Sequence, residues 1–108
     1  MNGMFSWCES LKELNLNHFN TNNVTDMCCM FEGCSSLKEL NLNNFNTNNV
    51  KDMSGMFSYC SSLTSLNLSK FNTHNVKNMI FMFNGLNKKC DIITTDNKLL
   101  KLLKNSYN

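Results

Sequence analysis

A 26-residue internal repeat is the feature that most constrains what this chain can fold into. A Met-Phe pair begins at residues 4, 30, 56 and 82, always 26 residues apart. Seven further columns keep one residue type in the same phase: Cys8/Cys34/Cys60, Leu11/Leu37/Leu63, Leu14/Leu40/Leu66, Leu16/Leu42/Leu68, Phe19/Phe45/Phe71, Val24/Val50/Val76 and Met27/Met53/Met79. Such regularity predicts one structural unit that recurs and buries its apolar side against its neighbours.

Each repeat joins a strand pattern to a helical one. Apolar and polar residues alternate over residues 39–43, which is the period of a half-buried strand. Apolar residues recur at helical spacing over residues 50–60, after an Asn-rich turn. The sequence therefore predicts an α/β, leucine-rich-repeat-like solenoid, with a parallel strand ladder on its concave face and short helices on its convex face.

The repeat predicts a single domain over residues 1–108, with repeats at about 4–29, 30–55 and 56–81 and a degenerate repeat at 82–108. In the last repeat Leu86 replaces the cysteine, and residues 90–95 have the composition of a final strand. Asp96 is placed to cap an amphipathic helix. We expect this helix to close the stack, with leucines on its inner side and lysines on its outer side: Leu99, Leu100, Leu102 and Leu103 against Lys98, Lys101 and Lys104.

The first repeat has no comparable cap. Its Met-Phe pair and the leucines of its first strand are left open to whatever precedes them. Because repeat proteins need capped ends for solubility, two expectations follow. The first is that the chain is a fragment of a longer array, and the second is that two chains associate end to end through this uncapped N-terminal rung.

Composition excludes several classes of function. The net charge of +2 and the lack of arginine disfavour a nucleic-acid partner. No apolar run approaches the length of a membrane span, and no secretory leader is visible at residues 1–5. The excess of lysine over residues 88–108 is explained more simply by a solvated helix face than by a partner.

The cysteines of the repeat column are predicted to be buried, reduced thiols, because the same column accepts Leu86. Disulfides across repeats are the second interpretation. Cys28, Cys29 and Cys34 with His18 imitate a zinc set, but they lack paired C-x-x-C spacing, so neither a metal nor another cofactor is expected.

Catalytic machinery is not expected either. His18 and His74 fall in columns that hold Asn or Lys elsewhere, which marks exposed and tolerant positions. Asp26 and Asp52 are placed at the start of helical turns, where a carboxylate favours the positive end of the dipole. No nucleophile and base can be placed together, so we expect the chain not to be an enzyme.

Asparagines form two further sets of columns. The set at the turns, Asn20, Asn46 and Asn72, is expected to satisfy local backbone groups. The set on the strand face, Asn15, Asn41 and Asn67, fits a structural amide ladder and a binding surface equally well. Together with the neighbouring columns it defines a candidate binding face of nine residues: Glu13, Asn15, Asn17, Glu39, Asn41, Asn43, Ser65, Asn67 and Ser69.

The repeat resembles the 26-residue repeat of bacterial surface proteins, a group close to BspA-like leucine-rich repeats and to the repeat domains of mycoplasma-type lipoproteins. The likeness is carried by the MF…C.SL..L.L..F.T.NV.DM pattern, seen at residues 30–53, and it covers residues 4–86. It implies surface display, adhesion or host interaction.

These observations predict a non-catalytic module that binds a protein or glycan through its concave strand face. Two other functions stay open. The first is a structural scaffold that assembles through its open ends, and the second is an intracellular recognition domain of a larger protein.

Overall fold

A computed structural model describes residues 1–106, without the side chain of Ser106. The regular elements are β1 (Ser65–Asn67), β2 (Asp91–Ile93) and α1 (Asn97–Ser106). The last two residues of the predicted domain lie outside the described part of the chain.

Residues one repeat apart lie side by side in register. Strands β1 and β2 pair in parallel, with Ser65 opposite Asp91. Isolated parallel bridges join Asp26 to Asp52 and Asp52 to Asn78. The predicted strand at residues 39–43 keeps the expected alternation of exposed and buried side chains, but within residues 1–106 only β1 and β2 form a strand ladder.

The segments predicted as short helices are runs of turns. Backbone N–H groups of Cys29, Phe31 and Gly33 donate to carbonyls of the next repeat, at Ser54, Met56 and Ser58. The same pattern recurs at residues 1–7 and 53–59. We call residues 1–7, 27–33, 53–59 and 79–85 the four turn segments. The helix prediction is wrong here because these donors pair between repeats instead of with carbonyls four residues back.

A left-handed backbone at two positions in each turn segment also prevents a helix. One position of each pair is glycine and the other is not: Gly3 and Trp7, Cys29 and Gly33, Gly55 and Tyr59, Phe81 and Gly85, with φ between 58° and 74°. This conformation is unfavourable for an L residue. The segment keeps it because its hydrogen bonds to the next repeat hold the backbone in place.

The core is one continuous column of repeat side chains. Rings of Phe5, Phe31, Phe57 and Phe83 stack with centroids 5.7, 5.9 and 6.0 Å apart and planes 7° from parallel. The helical spacing in the sequence correctly predicts which residues are buried, because turns with i to i+3 bonds bring the same residues to one side, as at Met27 and Met30.

Buried threonines link the repeats on the other side of the core. Thr47 is 1% exposed, and its Oγ1 donates to the carbonyl of Asn72 at 2.9 Å and accepts from the N–H of Asn72 at 2.8 Å. Thr21 makes the equivalent pair of bonds with Asn46. One hydroxyl thus satisfies both backbone groups of a residue in the following repeat.

Helix α1 follows Asp96, whose carboxylate accepts hydrogen bonds from Thr73 of the third repeat. Leu99 is fully buried, and Leu102 and Leu103 are half-buried. Leu100 was predicted to face the core and is 47% exposed. The buried face of this short helix accommodates Leu99, Leu102 and Leu103 but not Leu100 as well. Lys98 also departs from the prediction, since its Nζ donates to the carbonyls of Thr73 and Val76.

Candidate binding face

All nine residues of the predicted binding face are exposed. They alternate with leucines along residues 13–17, 39–43 and 65–69, because successive side chains of an extended chain point to opposite sides. These leucines are buried except Leu14, which is half-buried. The set formed by these nine residues is the strand face of the chain.

Two depressions lie on the strand face of the first two repeats. The larger has a volume of about 770 Å³ and is lined by Glu13, Glu39 and Asn41 of the predicted set, together with Lys12, Leu14, Ser36, Lys38 and Ser62. The smaller, of about 500 Å³, is lined by Glu13, Asn15, Asn17 and Asn41 with Leu14 and Leu16. Five predicted residues therefore meet here, while Asn43, Ser65, Asn67 and Ser69 line neither depression.

Sequence reasoning missed the lysines of the larger depression. Lys12 precedes Glu13 and Lys38 precedes Glu39, so two ammonium groups accompany the two carboxylates and the local formal charge is balanced. The recurrence of Lys-Glu at residues 12–13 and 38–39 is the signal that would have found them.

The strand-face asparagines do not form an amide ladder in the described part of the chain. Instead, each side-chain oxygen accepts a bond from the backbone two residues on, as Asn15 does from Asn17 at 2.9 Å and Asn41 does from Asn43 at 3.0 Å. Asn67 makes the same bond with Ser69. The three Nδ2 groups have no partner among residues 1–106, so they remain available as donors to a ligand.

The turn asparagines have the structural role that was predicted. Oδ1 of Asn46 accepts from the N–H of Asn48, while its Nδ2 donates to Oδ1 of Asn22 in the previous repeat. Asn72 makes the corresponding bonds to His74 and Asn48. The amides of Asn46 and Asn72 are occupied within the fold and are not free to bind a ligand.

The cysteine column is buried in two of its three members. Cys34 and Cys60 are fully buried, and their thiols donate to the carbonyls of Phe5 and Phe31 in the preceding repeat. Cys8 was predicted to be buried and is exposed, because it belongs to the first repeat and no such carbonyl covers it. All six cysteines are free, so disulfides across repeats are not formed.

Burial also suppresses thiol chemistry. Removal from water raises the pKa of Cys60 to about 12 and the pKa of Cys34 to about 11. Because the thiolate is the reactive form, neither residue is suited to act as a nucleophile near neutral pH.

The zinc-like set considered from the sequence is not assembled. Metal-ligand atoms that lie within 4.8 Å of one another belong, in residues 1–106, to Asp26, Cys28 and Asp52 rather than to Cys34 and His18. His18 and His74 are both exposed, as their variable columns predicted. The signal that could have found the new group is that Cys28 has no cysteine counterpart in other repeats.

No helix in the described part of the chain has the length and apolar character needed to cross a bilayer.

No curated protein and no solved structure shows significant similarity to the chain. One family model does match, that of the "Mycoplasma protein of unknown function, DUF285", and it spans residues 1–98, which includes all the complete repeats. The chain is therefore a repeat protein that belongs to the DUF285 family.

Proposed function

We propose that this chain is a short solenoid whose strand face binds a polar ligand, a protein segment or a glycan, without catalysis. The observation that carries the proposal is the pair of depressions on that face, lined by five of the residues selected from the sequence alone. Repeat arrays use extended surfaces of this kind for recognition.

The hydrogen-bonding groups of the face fit such a ligand. The Asn15 and Asn41 side chains are oriented by their bonds to the backbone and present unpaired Nδ2 donors to the depressions. Leu14 supplies an apolar surface beside them. A ligand with hydroxyl or carbonyl acceptors spaced at the repeat distance, about 4.8 Å, would meet equivalent donors in adjacent repeats.

Charge balance points to an uncharged ligand. Lys12 and Lys38 offset Glu13 and Glu39 in the larger depression. Binding that neutralises no net charge depends weakly on ionic strength. Surface display and adhesion, which the resemblance of the repeat to BspA-like repeats implies, are part of this proposal.

The proposal is tested with two probe collections, an array of neutral and acidic glycans and a library of displayed peptides. We expect the full chain to select neutral members, with binding that changes little between about 50 and 500 mM salt. Selection of acidic members only, or no selection from either collection, would contradict it.

A second candidate function, head-to-tail self-assembly, is supported by the polarity of the turn segments. Carbonyls of Asn2, Met4 and Ser6 accept no hydrogen bond within residues 1–106, whereas their equivalents in the turn segment at residues 27–33 accept bonds from the first turn segment. At the other edge, the N–H groups of Phe81 and Phe83 donate to no described residue. One edge is thus an acceptor row and the other a donor row, which would pair between copies in a heterologous contact.

Sedimentation velocity over a hundredfold range of concentration separates the two functions. Self-assembly predicts that the sedimentation coefficient rises continuously with concentration, because a head-to-tail contact does not close on itself. A constant monomer value excludes it and leaves ligand binding unaffected.

A further inference from the structure

We propose that the turn segment at residues 27–33, with the bridge positions beside it, holds a divalent cation of the zinc class through Asp26, Cys28 and Asp52. One ligand-type atom from each lies within 4.8 Å of the others, and all three side chains are half-buried. Ligand atoms bound to one tetrahedral Zn²⁺ at about 2.0–2.3 Å lie about 3.3–3.8 Å apart, so the three ligand atoms must approach one another by up to about 1 Å to close the site.

The turn segment at residues 27–33 differs from the other three turn segments at the positions that supply ligand-type atoms. Where Cys28 stands, the other repeats have Asn2, Ser54 and Ile80. Where Cys29 stands, they have glycine or phenylalanine, and where Glu32 stands, they have serine or asparagine. Three departures toward metal ligands in one turn segment are not required by the repeat fold, which the other turn segments form without them.

These departures come together in space. The Sγ atoms of Cys28 and Cys29 are 3.3 Å apart. A Cβ atom on Gly55 would lie 3.1 Å from Sγ of Cys29 and 3.7 Å from Oε2 of Glu32, which places both groups over the same glycine. Cys29 is held with φ at 58°, a conformation that its counterparts Gly3 and Gly55 adopt without strain. Cys29 and Glu32 are therefore positioned near the proposed ligands.

The two carboxylates are oriented before any cation binds. Oδ1 of Asp26 accepts a hydrogen bond from the N–H of Cys28 at 2.8 Å. Oδ1 of Asp52 accepts hydrogen bonds from the N–H and the hydroxyl of Ser54. The Ser54 hydroxyl also lies 3.2 Å from Sγ of Cys28, and Asn2 donates to Oδ2 of Asp26. Such outer contacts fix ligand orientation in metal sites.

The cluster also lacks a counter-charge. Asp26 and Asp52 stand opposite each other in a parallel bridge, and neither carboxylate has an ion-pair partner among residues 1–106. A bound cation would supply a positive charge beside the two carboxylates. The thiolate favours zinc-class ions over Ca²⁺ or Mg²⁺, which prefer oxygen ligands throughout. On binding, the Cys28 thiol would lose its proton to the buffer.

The site is tested by titrating the reduced full chain with Co²⁺ and then displacing it with Zn²⁺, using a phosphine reductant that does not supply thiols. We expect one Co²⁺ per chain and a sulfur-to-cobalt charge-transfer band that Zn²⁺ abolishes and Ca²⁺ leaves unchanged. Absence of that band, or its loss on adding Ca²⁺, overturns the proposal.

The two cluster variants each introduce the residue that another repeat has at the same position. Cys28→Ser, matching Ser54, should abolish the band and weaken Zn²⁺ binding by more than the roughly 10- to 100-fold cost of losing an outer contact. Asp52→Asn, matching Asn78, should weaken it as well. Cys8→Ser, at an exposed cysteine outside the cluster, should leave both readouts unchanged.

Circular dichroism of each variant before metal addition shows whether it is folded. If Cys28→Ser and Asp52→Asn are folded and bind Zn²⁺ as tightly as the parent chain, the assignment is wrong. It is equally wrong if Cys8→Ser removes the band. If either cluster variant is unfolded, the other decides the question, because their ligands come from different repeats.

Discussion

The indole ring of Trp7 packs over the backbone of Gly33 so closely that a Cβ atom on Gly33 would overlap with Cε3 of the ring. The same relationship recurs two repeats on, where a Cβ atom on Gly85 would overlap with Cδ1 of Tyr59. Since glycine follows each ring in the column, Trp7 and Tyr59 approach each other with centroids 6.0 Å apart.

Gly33→Ala should therefore destabilise the chain more than Gly3→Ala. Both positions have positive φ, so both pay roughly 1–2 kcal/mol for a left-handed L residue. Only Gly33 adds a clash with a ring, since the nearest atom to a Cβ on Gly3 is 3.8 Å away. Urea unfolding measures the difference, and the double change Trp7→Ala with Gly33→Ala should recover part of it. Equal losses for the two alanines would contradict the packing.

Thr47→Val should cost about 1–3 kcal/mol, because it leaves the backbone N–H and carbonyl of Asn72 without the hydroxyl that pairs with both. Thr47→Ser is the matched control, since it keeps the hydroxyl and removes only a methyl group. Thermal unfolding of the two variants checks the account. A valine variant as stable as the serine variant would show that the hydroxyl contributes little.

Asp96 should stabilise the C-terminal cap in a pH-dependent way. Burial alone would raise the pKa of its carboxyl, but hydrogen bonds from the Thr73 hydroxyl, from the backbone N–H of Leu99 and from that of Thr73 lower it overall. A carboxyl whose pKa is lower in the folded state stabilises above its unfolded pKa, about 3.9, and loses this effect as the pH falls through the folded value.

We accordingly expect Asp96→Ala to lose about 1–2 kcal/mol at neutral pH, the range of a helix N-cap. The gap between variant and parent should narrow below about pH 4. Thermal unfolding from pH 7 to pH 3 follows the change, with Asp91→Ala, at an exposed position in β2, as the control. A gap that stays constant down to pH 3 would mean that the carboxylate charge is not involved.

Cys8 should react with a thiol reagent in the native state, while Cys34 and Cys60 react only after unfolding. The first is exposed, and burial raises the pKa of the other two to about 11 and about 12. Because the unfolded thiols lose protons first, near pH 8.5, stability should also fall as the pH rises above that value. Mass spectrometry after timed labelling assigns each site, and rapid labelling of Cys60 would refute its burial.

The sequence predicted burial better than backbone conformation. The apolar spacing at Val50, Met53 and Met56 identifies buried residues whether the chain is helical or turns, so it could not distinguish the two. A helix is excluded by the left-handed backbone at positions such as Cys29 and Tyr59, and neither cysteine nor tyrosine predicts that conformation from the sequence. The turn prediction from glycine alone would have found only one position in each pair.

The candidate sites divide in the same way. The strand face followed directly from alternation, which assigns every second residue of an extended segment to one side. The cluster of Asp26, Cys28 and Asp52 could not be predicted from spacing along the chain, because its ligands meet only when two repeats are placed in register. Likewise, the exposed Cys8 differs from Cys34 only in its position within the stack.

The most direct test of the strand-face proposal compares asparagines of one column in the depressions and outside them. Asp in place of Asn keeps the oxygen that accepts the backbone bond and removes the Nδ2 donor. Asn15 and Asn41 line the depressions, whereas Asn67 makes the same backbone bond and lines neither. Asn67→Asp therefore controls for the turn and for one added charge.

The measurement is the affinity of the selected glycan or peptide for the double variant Asn15→Asp with Asn41→Asp, relative to Asn67→Asp, by isothermal titration. Two hydrogen bonds at about 0.5–1.5 kcal/mol each predict a loss of roughly 5- to 150-fold for the double variant and little change for the control. Equal affinities in the two folded variants would contradict the proposal that the strand face binds through its asparagines.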